Sequence, residues 1–200
     1  WSEKENWFTV CDGVSSNING GVAAQITIDR INEFDFRKLK SRKDIQKFVH
    51  SINEHVKLST GKTTCTSVFL INKKLVMFHT GDSECYILSK DCHFVEITKP
   101  FTVAHEFVQS KRLPIEKLKT TPGLSNVLTE CLGGTCNPYI IQFELDQIES
   151  IMLCSDGANN VPVEEMKQMI LSSKNPAVDI AEKALALDSH DDITVLVIKL

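Results

Sequence analysis

The hydrophobic period of this chain changes twice, and those changes restrict its architecture more than any single motif does. Between Arg42 and Leu58 the apolar residues Ile45, Phe48, Val49, Ile52 and Val56 recur every three or four positions. That spacing places them on one face of a helix, and Ser41 stands where its N-cap belongs. An earlier helix is expected from Gly20-Gly21 through VAAQITIDRINEF. From Thr64 the pattern becomes strand-like. TCTSVFLI, KKLVMFHT, ECYILSK and HFVEIT follow one another, with Asn72-Lys73, Gly81-Asp82 and Lys90-Asp91 between them, and read as an antiparallel meander. A short helical piece near Val103 to Ser110 and a loop with Pro114 and Pro122 come next, then strand-like NVLTECL, YIIQFEL and SIMLCS. The helical period returns over 163–172 and 177–187, and the chain closes on a strand over 193–200.

With an opening strand at Trp7 to Cys11, the order is strand, two helices, many strands, two helices, strand. A parallel doubly wound sheet would alternate strand and helix instead. The expectation is an α+β fold: a four-layer α-β-β-α sandwich of two antiparallel sheets flanked by helix pairs. The 200 residues suit one domain, 1–200, without linker, repeat or low-complexity tract.

Net charge is −4, which recommends neither a nucleic acid nor an anionic membrane as partner. No apolar run approaches the ~18 residues of a membrane span. The seven cysteines are odd in number, lack a CxxC pair and sit mostly in apolar runs, as expected of buried reduced thiols in a cytoplasmic protein. No His or Cys spacing suits a structural zinc site.

Chemistry concentrates where apolar strands end. WFTVCDG, LVMFHTGDS, IMLCSDGANN and HDDITVLVI each place an Asp at the rim of a strand, three of them beside a Gly. A single such Asp is an ordinary turn residue. Four carboxylates gathered at sheet rims would repel one another, and hard divalent cations compensate such a cluster well. Two ions bridged by a carboxylate about 3.5–4 Å apart form the two-metal arrangement of many hydrolases. Spacing alone therefore points to an acidic, metal-dependent site of phosphoesterase character.

In the same order along the chain, FTVCDGVSSNINGGVAAQ, KTTCTSVFLI, HTGDSECYIL, ITKPFTVAHEFVQ, NVLTECLGG, MLCSDGANNVPVEEM and HDDITVLVI resemble seven motifs of the metal-dependent 2C-type protein phosphatases. This is the PPM family, in its compact bacterial-like form. The resemblance implies that Asp12 bridges two Mn²⁺ or Mg²⁺ ions and that Gly13 offers its backbone carbonyl. Asp156 and Asp191 would complete the first ion's shell, and Asp82 with Asp156 a third, weaker position. Asp12, Asp156 and Asp191 would then be the catalytic set. The implied reaction is hydrolysis of phosphoserine or phosphothreonine in proteins by a metal-bound hydroxide, with no covalent enzyme intermediate. The implied partner is a phosphoprotein, such as a kinase or its target, met by a monomeric cytoplasmic signalling enzyme.

Several family features are missing. The chain begins Trp1-Ser2-Glu3 without a starting Met, so it reads as a fragment, a processed form or a chain lacking its natural beginning. The family's N-terminal strand, with an Arg that holds phosphate and an acidic residue for the second metal, has no counterpart; Glu3, Glu5 and Asn6 do not reproduce its spacing. After Asp12-Gly13 the loop offers Val14 and Asn17 where the family often has a His able to protonate the leaving group, a loss of about 10²–10⁴ in rate. Glu84 replaces the Arg of Gly-Asp-Ser-Arg. Asp192 replaces an Asn, and either ligates a metal or faces solvent. A member impaired by these changes would be a pseudophosphatase, a phosphoprotein-binding or regulatory module on the same sandwich. TGKTT, Thr60 to Thr64, looks like the end of a nucleotide-binding loop, but it leads from a helix into a strand and lacks the first Gly, so nucleotide binding is not expected. His50 and His55 are read as ordinary helix residues.

Overall fold

The computed structural model describes residues 6–110, 124, 127–189 and 191–200. The chain runs β1 (Trp7–Val10), α1 (Gly20–Asn32), α2 (Arg42–Leu58), β2 (Cys65–Ile71), β3 (Lys74–Thr80), β4 (Glu84–Ser89), β5 (Phe94–Glu96), α3 (Val103–Gln109), β6 (Tyr139–Glu144), β7 (Ile148–Cys154), α4 (Val163–Ser172), α5 (Pro176–Ala186) and β8 (Val195–Lys199). One sheet has the order β1-β2-β3-β6 and the other β5-β4-β7-β8, with every neighbour antiparallel.

Side-chain alternation explains the layers. Trp7, Phe69 and Phe78 point from the first sheet to a core shared with Ala23, Ile31, Phe48, Val49 and Ile52 of α1 and α2. Their neighbours Phe8, Val68 and Met77 point the other way, meeting Cys85, Ile151 and Leu153 of the second sheet. Met152 and Cys154 then face a third core with Met166, Ile170, Ile180 and Ala184 of α4 and α5. Three cores make the expected four layers. Because both faces of the inner strands are covered, they read as continuous apolar runs. Each large side chain so buried contributes roughly 1.5–3 kcal/mol.

The α2 reading holds in detail. Ser41 Oγ accepts from Asp44 N at 3.3 Å, and the five predicted apolar residues are all buried. Two expectations fail. The four central strands are no single meander: β2 and β3 form a hairpin in the first sheet, whereas β4 and β5 belong to the second. Gly81-Asp82 is thus a crossing between sheets. Gly81 takes φ +103°, and a Cβ there would meet the Thr64 side chain at 2.6 Å, so the chain leaves β3 tightly against the start of β2. NVLTECL is not a strand either. Its described part makes single bridges, Leu128 to Thr102 and Leu132 to Thr63, and Thr129 N donates to Phe101 O. The segment passes from one element to another, and no single ladder holds it. Pro114 and Pro122 lie outside the described residues, as do Glu3 and Glu5.

The seven cysteines are free thiols; five are buried, Cys11 is partly so and Cys92 is exposed. Among the described residues no helix is long and apolar enough to cross a membrane.

Candidate functional site

The backbone that follows β1 is held on every side. Asp12 N donates to Thr64 Oγ1 at 2.9 Å, and Asp12 O accepts from Thr64 N at 2.8 Å and from Thr63 Oγ1 at 2.9 Å. These bonds consume the main-chain groups of Asp12 and leave its carboxyl to project from the rim. Gly13 bridges to Thr63, and a Cβ on it would lie 2.4 Å from the Gly20 carbonyl carbon. Only a residue without a side chain lets α1 begin so close to this turn.

The other carboxylates reach the same rim from different places. Asp82 sits on the crossing between the sheets, and its neighbour Ser83 shares a 2.7 Å hydroxyl contact with Thr64 and accepts from Thr66 Oγ1 at 2.8 Å. Asp156 opens a short 3-10 turn directly after β7. Ser155 fastens that turn to the approach of β8, donating through Oγ to Asp192 O at 2.9 Å and accepting from Thr194 N at 3.0 Å. Asp191 lies on the same approach, and its Oδ1 accepts from Asp192 N at 2.9 Å.

Asp12, Gly13, Asp82, Asp156 and Asp191 therefore line one cleft of about 520 Å³, together with the loop from Val14 to Asn17. All five predicted site residues meet there. Their proximity is legible in their acidity. Burial, then Asp156, Asp191 and Asp82, push the Asp12 carboxyl up to about 7. Asp82 is likewise pushed up to about 7, by burial and then by Asp156. Asp156 is raised by burial and by Asp191. Asp156 Oδ1 is buried and has no hydrogen-bond partner among the described residues.

Among the described residues no three His, Cys, Asp or Glu side chains form a ready-made metal cage. The donors present nevertheless fit a hard divalent cation. They are all oxygens, they repel one another, and one buried oxygen has no hydrogen-bond partner among the described residues. Mg²⁺ in particular keeps several waters and needs only one or two carboxylates, so a cage of three protein ligands is not required.

No family model matches the chain. The serine/threonine phosphatase stp of Listeria innocua is 23% identical over 219 residues, spanning 98% of this chain and 85% of that protein. The solved structure of Stp1 from Staphylococcus aureus superposes with a TM-score of 0.86 at 19% identity, over 97% of this chain and 83% of that one. This chain is thus similar in sequence and fold to bacterial serine/threonine phosphatases. The catalytic domain of another, PstP, solved in complex with two manganese ions, matches with a TM-score of 0.81 at 23% identity, over 96% of this chain and 86% of that one.

Against the 2C pattern, the two acidic replacements behave differently. Asp192 is exposed and does not line the cleft. Glu84 is partly buried behind the site, accepts from Tyr86 Oη at 2.6 Å and is pushed up to about 7 by burial. It adds less negative charge at neutral pH than an exposed Glu would. Three contributors were not anticipated. Thr63 and Thr64 anchor Asp12, although the sequence marks them only as a strand entry. Lys62, in the discounted TGKTT stretch, lines the cleft.

Proposed function

We propose that this chain is a metal-dependent protein serine/threonine phosphatase, with Asp12, Gly13, Asp82, Asp156 and Asp191 as its metal-holding residues. The observation that carries the reading is the convergence of these five residues, from strand ends in two sheets, on one acidic cleft. Asp12 would be the central metal-holding carboxylate, since its backbone is fixed by Thr63 and Thr64 and its carboxyl neighbours Asp156. Gly13 brings a backbone carbonyl beside it. Asp156 and Asp191 flank Asp12 from the second sheet, and Asp82 reaches the cleft from the crossing as a third, weaker position with Asp156. Mn²⁺ or Mg²⁺ bound here would polarise a phosphate ester and make a water acidic enough to ionise near neutral pH. The rigid strand ends supply orientation, since carboxylates carried on sheets need little rearrangement to act together.

The substrate class is phosphoserine or phosphothreonine in a protein, such as a kinase or its target, acted on by a monomer in the cytoplasm. The names of the relatives and their PPM-type structures support this reading over a purely binding role. Hydrolysis of an aryl phosphate across a Mn²⁺ titration tests it, with Asp156→Asn as control. Mn²⁺-dependent turnover lost in the control is the expected result. Turnover no greater than the control at any Mn²⁺ concentration would sink the enzymatic reading.

A further inference from the structure

Lys62 is the one basic residue among the described residues that line the acidic cleft. We propose that its ammonium group binds the phosphate of the substrate, opposite the carboxylates that hold the metals. The inference rests on the phosphatase reading and deepens it.

The placement is specific. Lys62 O accepts from Val14 N at 3.0 Å, and the next residue, Thr63, bridges to both Gly13 and Leu132. The Lys62 backbone is therefore pinned beside the Asp12-Gly13 turn, while the side chain is exposed. Its stem passes the turn at Gly134, where Cε lies 3.9 Å from the position a Cβ would occupy. Burial raises the Cys131 thiol, and the Lys62 charge opposes that shift while Asp82 and Glu130 add to it.

That charge forms no ion pair among the described residues. No described carboxylate comes within 4.0 Å of Nζ to form an ion pair, although four aspartates share the cleft. A lysine placed merely to neutralise those aspartates would pair with one of them. A free ammonium on a flexible stem is instead suited to a mobile dianion, since it recognises phosphate as a point charge without demanding a fixed geometry. In this chain the cation enters the cleft from the β2 side.

The test compares wild type, Lys62→Met and Lys62→Arg, using inorganic phosphate as the probe. Phosphate binding to the Mn²⁺-loaded protein is measured by calorimetry, and KM and kcat for an aryl phosphate are measured in parallel. Loss of one charge-assisted hydrogen bond predicts about tenfold weaker phosphate binding and a KM raised about tenfold in Lys62→Met, with kcat changed much less. Lys62→Arg should restore most of both. Lys62→Met that binds phosphate as tightly as wild type, with unchanged KM, would overturn the inference while leaving the phosphatase reading intact. If wild type turns over nothing yet binds phosphate through Lys62, the phosphatase reading fails and the binding role of Lys62 stands. If wild type neither turns over substrate nor binds phosphate, both fail. Mn²⁺ affinity measured on each variant should be unchanged, and a loss of it in Lys62→Met would show a structural role instead.

Discussion

Replacing Asp12 with Asn should stabilise the metal-free protein. Burial and the neighbouring carboxylates hold the Asp12 carboxyl at about 7 against an ordinary 3.8. The folded chain thus keeps a proton that the unfolded chain releases. The resulting contribution to stability is fully present below about 4 and is lost as pH rises through about 7. At about 1.4 kcal/mol per pH unit, the gap sets an upper bound of roughly 4 kcal/mol. Asp12 is partly open to solvent and shares its surroundings with Asp156, and screening reduces the expected effect to ~1–2 kcal/mol. Asn has the same shape, cannot ionise, and can still donate to Asp156. In EDTA at pH 8 the variant should therefore melt about 2–8 °C above wild type. At pH 4 the two should converge. Adding Mn²⁺ should raise the wild-type Tm and leave that of the variant nearly unmoved, because binding stabilises only a state that binds. A variant melting at or below wild type in EDTA at pH 8 would refute the view that these carboxylates strain the fold. So would an advantage of the same size at pH 4.

Two further perturbations probe the frame around the site. His79 is fully buried, contacts Thr66 Oγ1 through Nδ1 at 2.9 Å and Lys99 O through Nε2 at 2.9 Å, and is pushed down to about 4 by desolvation. The unfolded chain takes up a proton near 6.5 that the folded one refuses, so His79 costs stability as pH falls from about 6.5 to about 4. Its ring resonances should stay flat from pH 8 to 5 in NMR, and a midpoint near 6.5 would contradict the burial argument. Gly13→Ala should drive a methyl group into the Gly20 carbonyl and displace the start of α1, at a cost of about 1–3 kcal/mol. Its Mn²⁺ affinity should drop with its Tm; calorimetry showing both unchanged would disprove the close approach.

Local signals carried much of this molecule. The α2 face and its Ser41 cap were readable because a helix is specified by residues three and four apart, and α4 falls on the bounds its periodicity suggests. Asp12, Asp82, Asp156 and Asp191 stood out because each interrupts an apolar strand at its rim. The crossing at Gly81-Asp82 was not readable, since a hairpin and a change of sheet can begin with the same Gly-Asp pair. The choice depends on β4 pairing with Ile151 and its neighbours on β7, far away in the chain. The partly buried Glu84 escaped for a similar reason: its surroundings include Glu96, brought near by the β4–β5 register. Lys62 escaped because the motif around it suggested the wrong ligand.

Asp12 comes from the first sheet, Asp156 and Asp191 from the second, and Asp82 from the passage between them, with the Thr64–Ser83 hydroxyl contact directly beneath. Neither half of the sandwich carries all four carboxylates. On the proposed function, a chain in which one sheet has formed and the other has not, whether newly made or damaged, would lack a complete site. Ions bound by the proposed site would therefore favour the completed fold and add to its stability.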